Sequence, residues 1–366
     1  MRAEPLLAAA LRGEAVPWPS DAGAAFEREV IDASTTHGVA ALLAGASTLP
    51  SWPDSVHGAL RNVRRLAAAA EAVQRADLIR LLTAFGRVGV RCLPLKGAHL
   101  AYKYYRQPWL RPRNDTDLLV EPGARRRADA VLRGLGYLPS VHITGNFVAH
   151  QLQYQVRNDY GMVDTVDLHW KVTNPHVFAD TLTFEELMAA AEPLPQLGEH
   201  AWSLSTVHAL ILACVHRVAH HQNSDLLIWL YDIQLLAAAM TPREQADFVE
   251  QARVKRVRAV CASSLAVAEQ QLGAVCPRGV IDGLLTGPGD AVEPGAAFLR
   301  RDLRRIDILR SDLRELGWTR KARLIREHLF PPPAFIRARY GPATPLLFGY
   351  VSRIAAGMGK WFREPL

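Results

Sequence analysis

Between residues 91 and 171 the apolar period of this chain changes from helical to extended and back, and that one interruption limits the folds open to it. Upstream, alanine and leucine recur at helical spacing through Ala24–Leu43 and Leu60–Phe85, with Pro17, Pro19, Pro50 and Pro53 as breaks. Inside the interruption, Val90–Leu95 reads as a buried strand ended by Lys96-Gly97, and Ala98–Tyr105 as a short helix. Thr116–Val120 predicts a second strand, followed by a basic helix over Ala124–Leu135 that Gly136 stops. Gln151–Arg157 and Met162–Trp170 predict two further strands, joined by the turn-forming Asn158-Asp159-Tyr160-Gly161. Helical spacing then returns in Phe184–Ala191, Thr206–His221, Leu226–Ala239, Pro242–Ala252, Val257–Leu272 and Ala296–Leu316. A run of three prolines, 331–333, sets off an amphipathic, basic tail over Leu346–Phe362. The expected class is α+β, a small mixed β-sheet core embedded in a mainly helical chain. The expected divisions are a helical region over 1–90, an α/β core over 91–175, a helical domain over 176–330 and a helical tail over 331–366.

The chain has 366 residues, 49% hydrophobic and 22% charged, enough to bury a substantial core and far from a disordered composition. Its four cysteines are scattered and form no CxxC pair, which argues against a disulfide framework or a zinc knuckle. No apolar stretch reaches membrane-spanning length and no export signal is evident, so a cytoplasmic protein is the expectation. The net charge of +7 suits anionic ligands without choosing among them.

The chemistry concentrates between Leu95 and Trp170. Asp115 and Asp117 are two residues apart, and on a strand that spacing turns both carboxylates to one face. Two adjacent carboxylates repel unless a cation neutralises them, and carboxylate oxygens suit magnesium, with manganese as its substitute. Asp167, on the predicted partner strand, supplies a third acid that would complete a metal site or take a proton from an attacking hydroxyl. Asp164 is a rival, but its odd spacing from Asp167 puts the two on opposite faces. Upstream, Gly97 between a strand end and a helix start lets a phosphate approach backbone N–H groups, and Lys96 adds a point charge.

Leu95-Lys96-Gly97, Arg111-Pro112, Asp115-Thr116-Asp117-Leu118-Leu119-Val120, Gly136-Tyr137 and Val166-Asp167-Leu168-His169-Trp170 together resemble the nucleotidyltransferase superfamily that includes DNA polymerase β. Within it the likeness is to an uncharacterised bacterial branch, the NTP_transf_5 type, and a later block from His216 through His220 to Asp232-Ile233 resembles it too. The resemblance implies a glycine-anchored phosphate turn at Gly97, metal held by Asp115 and Asp117, and Asp167 as the third strand acid. It also implies an NTP substrate, ATP foremost, and a role for Arg111 in offsetting phosphate charge. Where the superfamily has Gly-Ser or Gly-Gly, this chain has Gly97-Ala98, which offers no hydroxyl to a phosphate.

Other residues have blander readings. His216 and His220 lie at i, i+4 on one helix face, a spacing shared by core histidines and by a cleft-facing pair working with Asp232. Arg113 has no assigned role. His169 is expected on the strand face opposite Asp167, packing in the core. The arginines of 125–127 and of 300–305 read as solvated faces, and the amphipathic tail has the composition to lie on a membrane surface or pack on a partner, with packing on its own protein as the default expectation. The expected activity is transfer of a nucleoside monophosphate to an acceptor hydroxyl, with a small molecule or peptide favoured as acceptor over nucleic acid. The alternatives are a toxin-like transferase acting on tRNA or protein, and a non-catalytic nucleotide-binding scaffold.

Overall fold

The computed structural model describes residues 2–46, 49, 51–141, 148–219, 223–273, 276–286, 293–300 and 302–363. Five strands form one mixed sheet: β1 (Cys92–Pro94), β2 (Thr116–Val120), β3 (Leu138–Pro139), β4 (Gln151–Arg157) and β5 (Val163–His169). Their spatial order is β1-β2-β5-β4-β3. The β2–β5 pair is parallel and every other pair is antiparallel. Local chemistry explains the edges of these elements. The Asn158 side chain accepts the backbone N–H groups of Tyr160 and Met162, and Gly161 takes φ +77° to close the β4–β5 hairpin. Helix Arg125–Gly134 ends before Gly136, whose φ of +89° no side-chain-bearing residue adopts readily.

Strand alternation splits the apolar residues between two cores. Leu118 and Val120 of β2 and Val166 and Leu168 of β5 join Leu78, Leu82 and Phe85 of helix Asp54–Arg87 and Ala128 and Leu132 of helix Arg125–Gly134. Leu119 faces the other way, into a larger core built from the N-terminal helices and from helices Thr206–Ala219, Leu227–Ala239 and Arg258–Leu272. The two-residue period therefore commits one sheet face to structure. The opposite face carries Asp117 and Asp167 toward the helical region.

The stretch expected as one helix over Ala296–Leu316 divides into a 3-10 helix, Pro294–Leu299, and helix Arg305–Glu315. Between them Leu303 is drawn into the core, and Arg300, whose own backbone is extended, pairs with Asp302. Three further helices follow, Trp318–Leu329, Pro333–Tyr340 and Leu346–Arg363.

Asp312 ties this C-terminal part to the core by accepting the His176 backbone N–H at 2.7 Å. Burial pushes its carboxyl up to about 7, against the opposing pull of the His176 and Val177 backbone donors. A carboxyl held above its unfolded value binds its proton more tightly in the folded chain. Its contribution to stability is whole below about pH 4 and is lost as pH rises through 7. Asp312→Asn keeps an acceptor without the charge. Thermal unfolding should find it more stable than the parent near pH 8 by on the order of 2 kcal/mol, with the difference gone near pH 4. An equal difference at both pH values would show that Asp312 does not titrate in this range.

Candidate active site

The parallel pairing of β2 with β5 sets Asp117 directly opposite Asp167. Asp117 is buried, and its Oδ1 receives two groups at 2.7 Å, the Lys96 ammonium and Nε2 of His169. Burial alone would raise this carboxyl, but the Lys96 charge and the His169 hydrogen bond outweigh it and hold the group well below the usual carboxylate range. Asp167 is anchored at Oδ2 by the Gln151 side-chain amide at 2.9 Å, while its Oδ1 is buried without a hydrogen-bond partner. Burial, then the neighbouring Asp117 charge, raises the Asp167 carboxyl.

The expectation that His169 faces away from Asp167 is wrong. The two are separated by two residues on β5 and so share a face, where His169 caps Asp117. Ligand atoms of Asp117, Asp167 and His169 all lie within 4.8 Å of one another. Two oxygens each about 2.1 Å from one magnesium ion stand at most about 4.2 Å apart, so small side-chain rotations would seat a cation between the carboxylates. The unpartnered Asp167 oxygen and this spacing fit a divalent ion. In that arrangement His169 orients Asp117, as outer-shell partners of metal ligands do.

Asp115 lies in the bend just before β2, so the strand places only Asp117 of the pair. Its side chain is exposed at the cavity rim. Loss of surrounding water, then the charges of Asp117 and, further down, Asp167, still pushes its carboxyl up to about 6. The bend is held from behind by helix Asp54–Arg87. Arg113 pairs with buried Glu71 at 2.7 Å, and Gln74 donates to the Arg113 carbonyl at 3.2 Å. Tyr102 also donates to Glu71. Arg113 thus has a partner that its own sequence neighbourhood does not reveal.

Lys96 turns the chain from β1 into helix Gly97–Lys103 at φ +50°, a region that side-chain-bearing residues rarely occupy. Such backbone strain concentrates at working sites, and here it accompanies the contact of Lys96 with Asp117. Gly97 is needed for a different close approach. A Cβ there would lie 3.2 Å from Nη1 of Arg111. Arg111 is itself buried and grips Asp232, Nε reaching both carboxylate oxygens at 2.9 Å and Nη2 one of them at 2.8 Å. Tyr105 donates its hydroxyl to the same carboxylate at 2.7 Å.

These groups open on one cavity of about 540 Å³. Lys96, Gly97, Arg111, Asp115, Asp117, Asp167, His216 and Asp232 all line it, so the fold gathers these candidate residues around one space. His220 lies outside the described residues. The far wall is apolar and was not legible from the motifs. It comes from Ala40 and Ala41, from Ala67 of the long helix, and from Leu212, Ile228 and Trp229, with the His216 ring edge-on to Trp229 at 5.9 Å. His99 also lines the cavity. It is buried, neither ring nitrogen has a hydrogen-bond partner, and burial followed by the Lys103 charge lowers it to about 3. A neutral imidazole there can donate one hydrogen bond and accept another.

The chain matches the family described as an uncharacterised nucleotidyltransferase, NTP_transf_5, over residues 26–273. It belongs to that family. The match covers the sheet, the acidic groups and the helices that wall the cavity, and it ends before the C-terminal helices. No curated protein matches this nucleotidyltransferase. Among the described residues no helix is long and apolar enough to cross a membrane.

Proposed function

We propose that this nucleotidyltransferase is magnesium-dependent and moves a nucleoside monophosphate from an NTP, ATP foremost, to the hydroxyl of an acceptor. The observation that carries the reading is the buried, unpartnered Oδ1 of Asp167 beside Asp117. Asp117 and Asp167, with Asp115 at the rim, would hold the ion, which supplies Lewis-acid stabilisation of phosphate charge. The acceptor oxygen forms a bond to the α-phosphorus and the bond to the bridging oxygen of pyrophosphate breaks. The hydroxyl proton passes to Asp167. Lys96 and the Gly97 turn serve the phosphates, and the wall around Trp229 and His216 takes the apolar part of the substrates. Arg111, already matched by Asp232, positions the loop leading to Asp115 more than it adds free charge.

A small molecule or a short peptide segment suits this site better than nucleic acid. Among the described residues the cationic side chains lining the cavity, Lys96, Arg111 and Arg113, are each paired with a carboxylate and form no basic track leading a phosphate backbone to the acids.

Thermal shift with each of the four NTPs tests the reading. ATP with magnesium at about 100 times its Kd should raise the melting temperature by roughly 3–5 °C. The shift should vanish without metal and in Asp117→Asn with Asp167→Asn. A shift of equal size in the double variant would move the nucleotide site elsewhere.

A further inference from the structure

The positive charge of this chain is not spread over it. Residues 300–366 hold 15 Lys and Arg against 6 Asp and Glu, a net +9 within the chain's +7, so the other 299 residues stand at −2. The same segment presents two unpartnered apolar stripes. On helix Trp318–Leu329 the side chains of Trp318 (85% exposed), Ile325 and Leu329 follow one another at seven and four residues, along one helical face, with the exposed Arg326 beside them and Arg323 and Arg320 further round the same helix. On helix Leu346–Arg363, Leu347 (76%), Phe348 (65%) and Val351 form a second stripe.

The inward side of that second helix is fixed by close packing, so the stripe cannot rotate into the protein. A Cβ on Gly349 would collide with the buried Ile336 of helix Pro333–Tyr340. The Tyr350 hydroxyl donates to the Pro331 carbonyl at 2.9 Å, and its ring meets Phe330 at 5.6 Å. Arg353 donates to the His328 carbonyl at 2.5 Å. Leu347, Phe348 and Val351 are left facing water.

We propose that these C-terminal helices dock on an anionic lipid surface, with the two stripes in the acyl boundary and the arginines on the headgroups. Helices with an apolar stripe rich in Trp, Phe and Leu beside an Arg-rich face lie in such an interface, and each nearby cation adds attraction of about 1 kcal/mol. Charge complementarity selects this occupant. A second copy would bring another +9 segment against the first, and although Trp318 and Phe348 carry rings, the aliphatic Leu347, Val351, Ile325 and Leu329 that complete the stripes give a nucleobase nothing to stack on. This docking is independent of the transfer chemistry, since none of these residues lines the cavity.

Co-sedimentation of the full chain with phosphatidylcholine vesicles, with and without phosphatidylglycerol, tests it. Only the phosphatidylglycerol vesicles should pellet the protein, and added salt should release it. Leu347→Asp with Phe348→Asp, and separately Arg320→Glu with Arg323→Glu and Arg326→Glu, should each weaken pelleting by about tenfold or more. Arg-to-Lys changes at the same three positions should restore it. All the altered residues are exposed, and circular dichroism should show the parent fold in each variant. The proposal falls if the parent does not pellet with anionic vesicles, or if the variants pellet like the parent. It falls equally if light scattering finds a dimer that the Leu347/Phe348 variant dissolves, or if RNA is retained through the arginines while vesicles are not.

Discussion

Asp117→Asn is expected to lower nucleotidyl transfer by about a thousandfold or more, close to 4 kcal/mol of transition-state stabilisation, while the protein stays folded. Asparagine has nearly the same shape and still accepts hydrogen bonds from Lys96 and His169, so packing is preserved. What disappears is the negative charge opposite Asp167, and with it the second carboxylate that the proposed cation site needs. Lys96→Met separates this from simple damage. It removes the ammonium that sits 2.7 Å from Asp117 Oδ1, the position a metal would contest. Manganese titration followed by water-proton relaxation should therefore show affinity lost in Asp117→Asn and kept in Lys96→Met. Transfer of α-labelled NTP should fall in both if Lys96 serves the phosphates as proposed. Unchanged manganese affinity in Asp117→Asn would remove the carboxylate pair from the metal site.

Asp232→Leu should destabilise the protein by roughly 3–5 kcal/mol, because it leaves the buried Arg111 guanidinium with no counter-charge. The Tyr105 hydroxyl loses its acceptor in the same change. Replacing both partners, Arg111→Met with Asp232→Leu, should recover most of the loss, since two apolar groups of similar volume cost far less than one orphaned charge. Urea unfolding of the two single variants and the double variant measures this coupling. Additive losses in the double variant would show that the two residues do not depend on each other. Because Arg111 packs on Gly97 and precedes the bend at Asp115, the double variant should also lose activity while remaining folded.

The local sequence carried much of this fold for identifiable reasons. β2 and β4 have the bounds that their apolar patterning predicts, and the Asn158–Gly161 turn forms because Asn158 and Gly161 supply the side-chain acceptor and the positive φ it needs. Asp117 was legible because it leads into Leu118-Leu119-Val120, which marks a strand, and Asp167 because the block Val166-Asp167-Leu168-His169-Trp170 resembles the family's third strand acid. His169 stands two positions after Asp167 on β5, so the strand's own alternation places it on the acidic face, contrary to the expectation. The single helix expected over Ala296–Leu316 failed because burial of Leu303 outweighed helical propensity.

Other features depended on pairings between residues far apart in the chain. Nothing near Arg111 names Asp232, 121 residues away, and nothing near Arg113 names Glu71, 42 residues upstream. Whether such an arginine is a free phosphate clamp or half of a buried pair is settled by burial and counter-charge, which are properties of the packed chain. His99 is similar, a histidine of ordinary sequence context held neutral by burial among the elements closed around it. By itself the sequence pointed to the class of chemistry, through the Asp115–Asp117 spacing ahead of an apolar strand and the likeness of the blocks around Gly97 and Asp167 to the family. Only the tertiary structure decided which charges are already spent on each other, because electrostatic pairing acts through space and is strongest where water has been excluded.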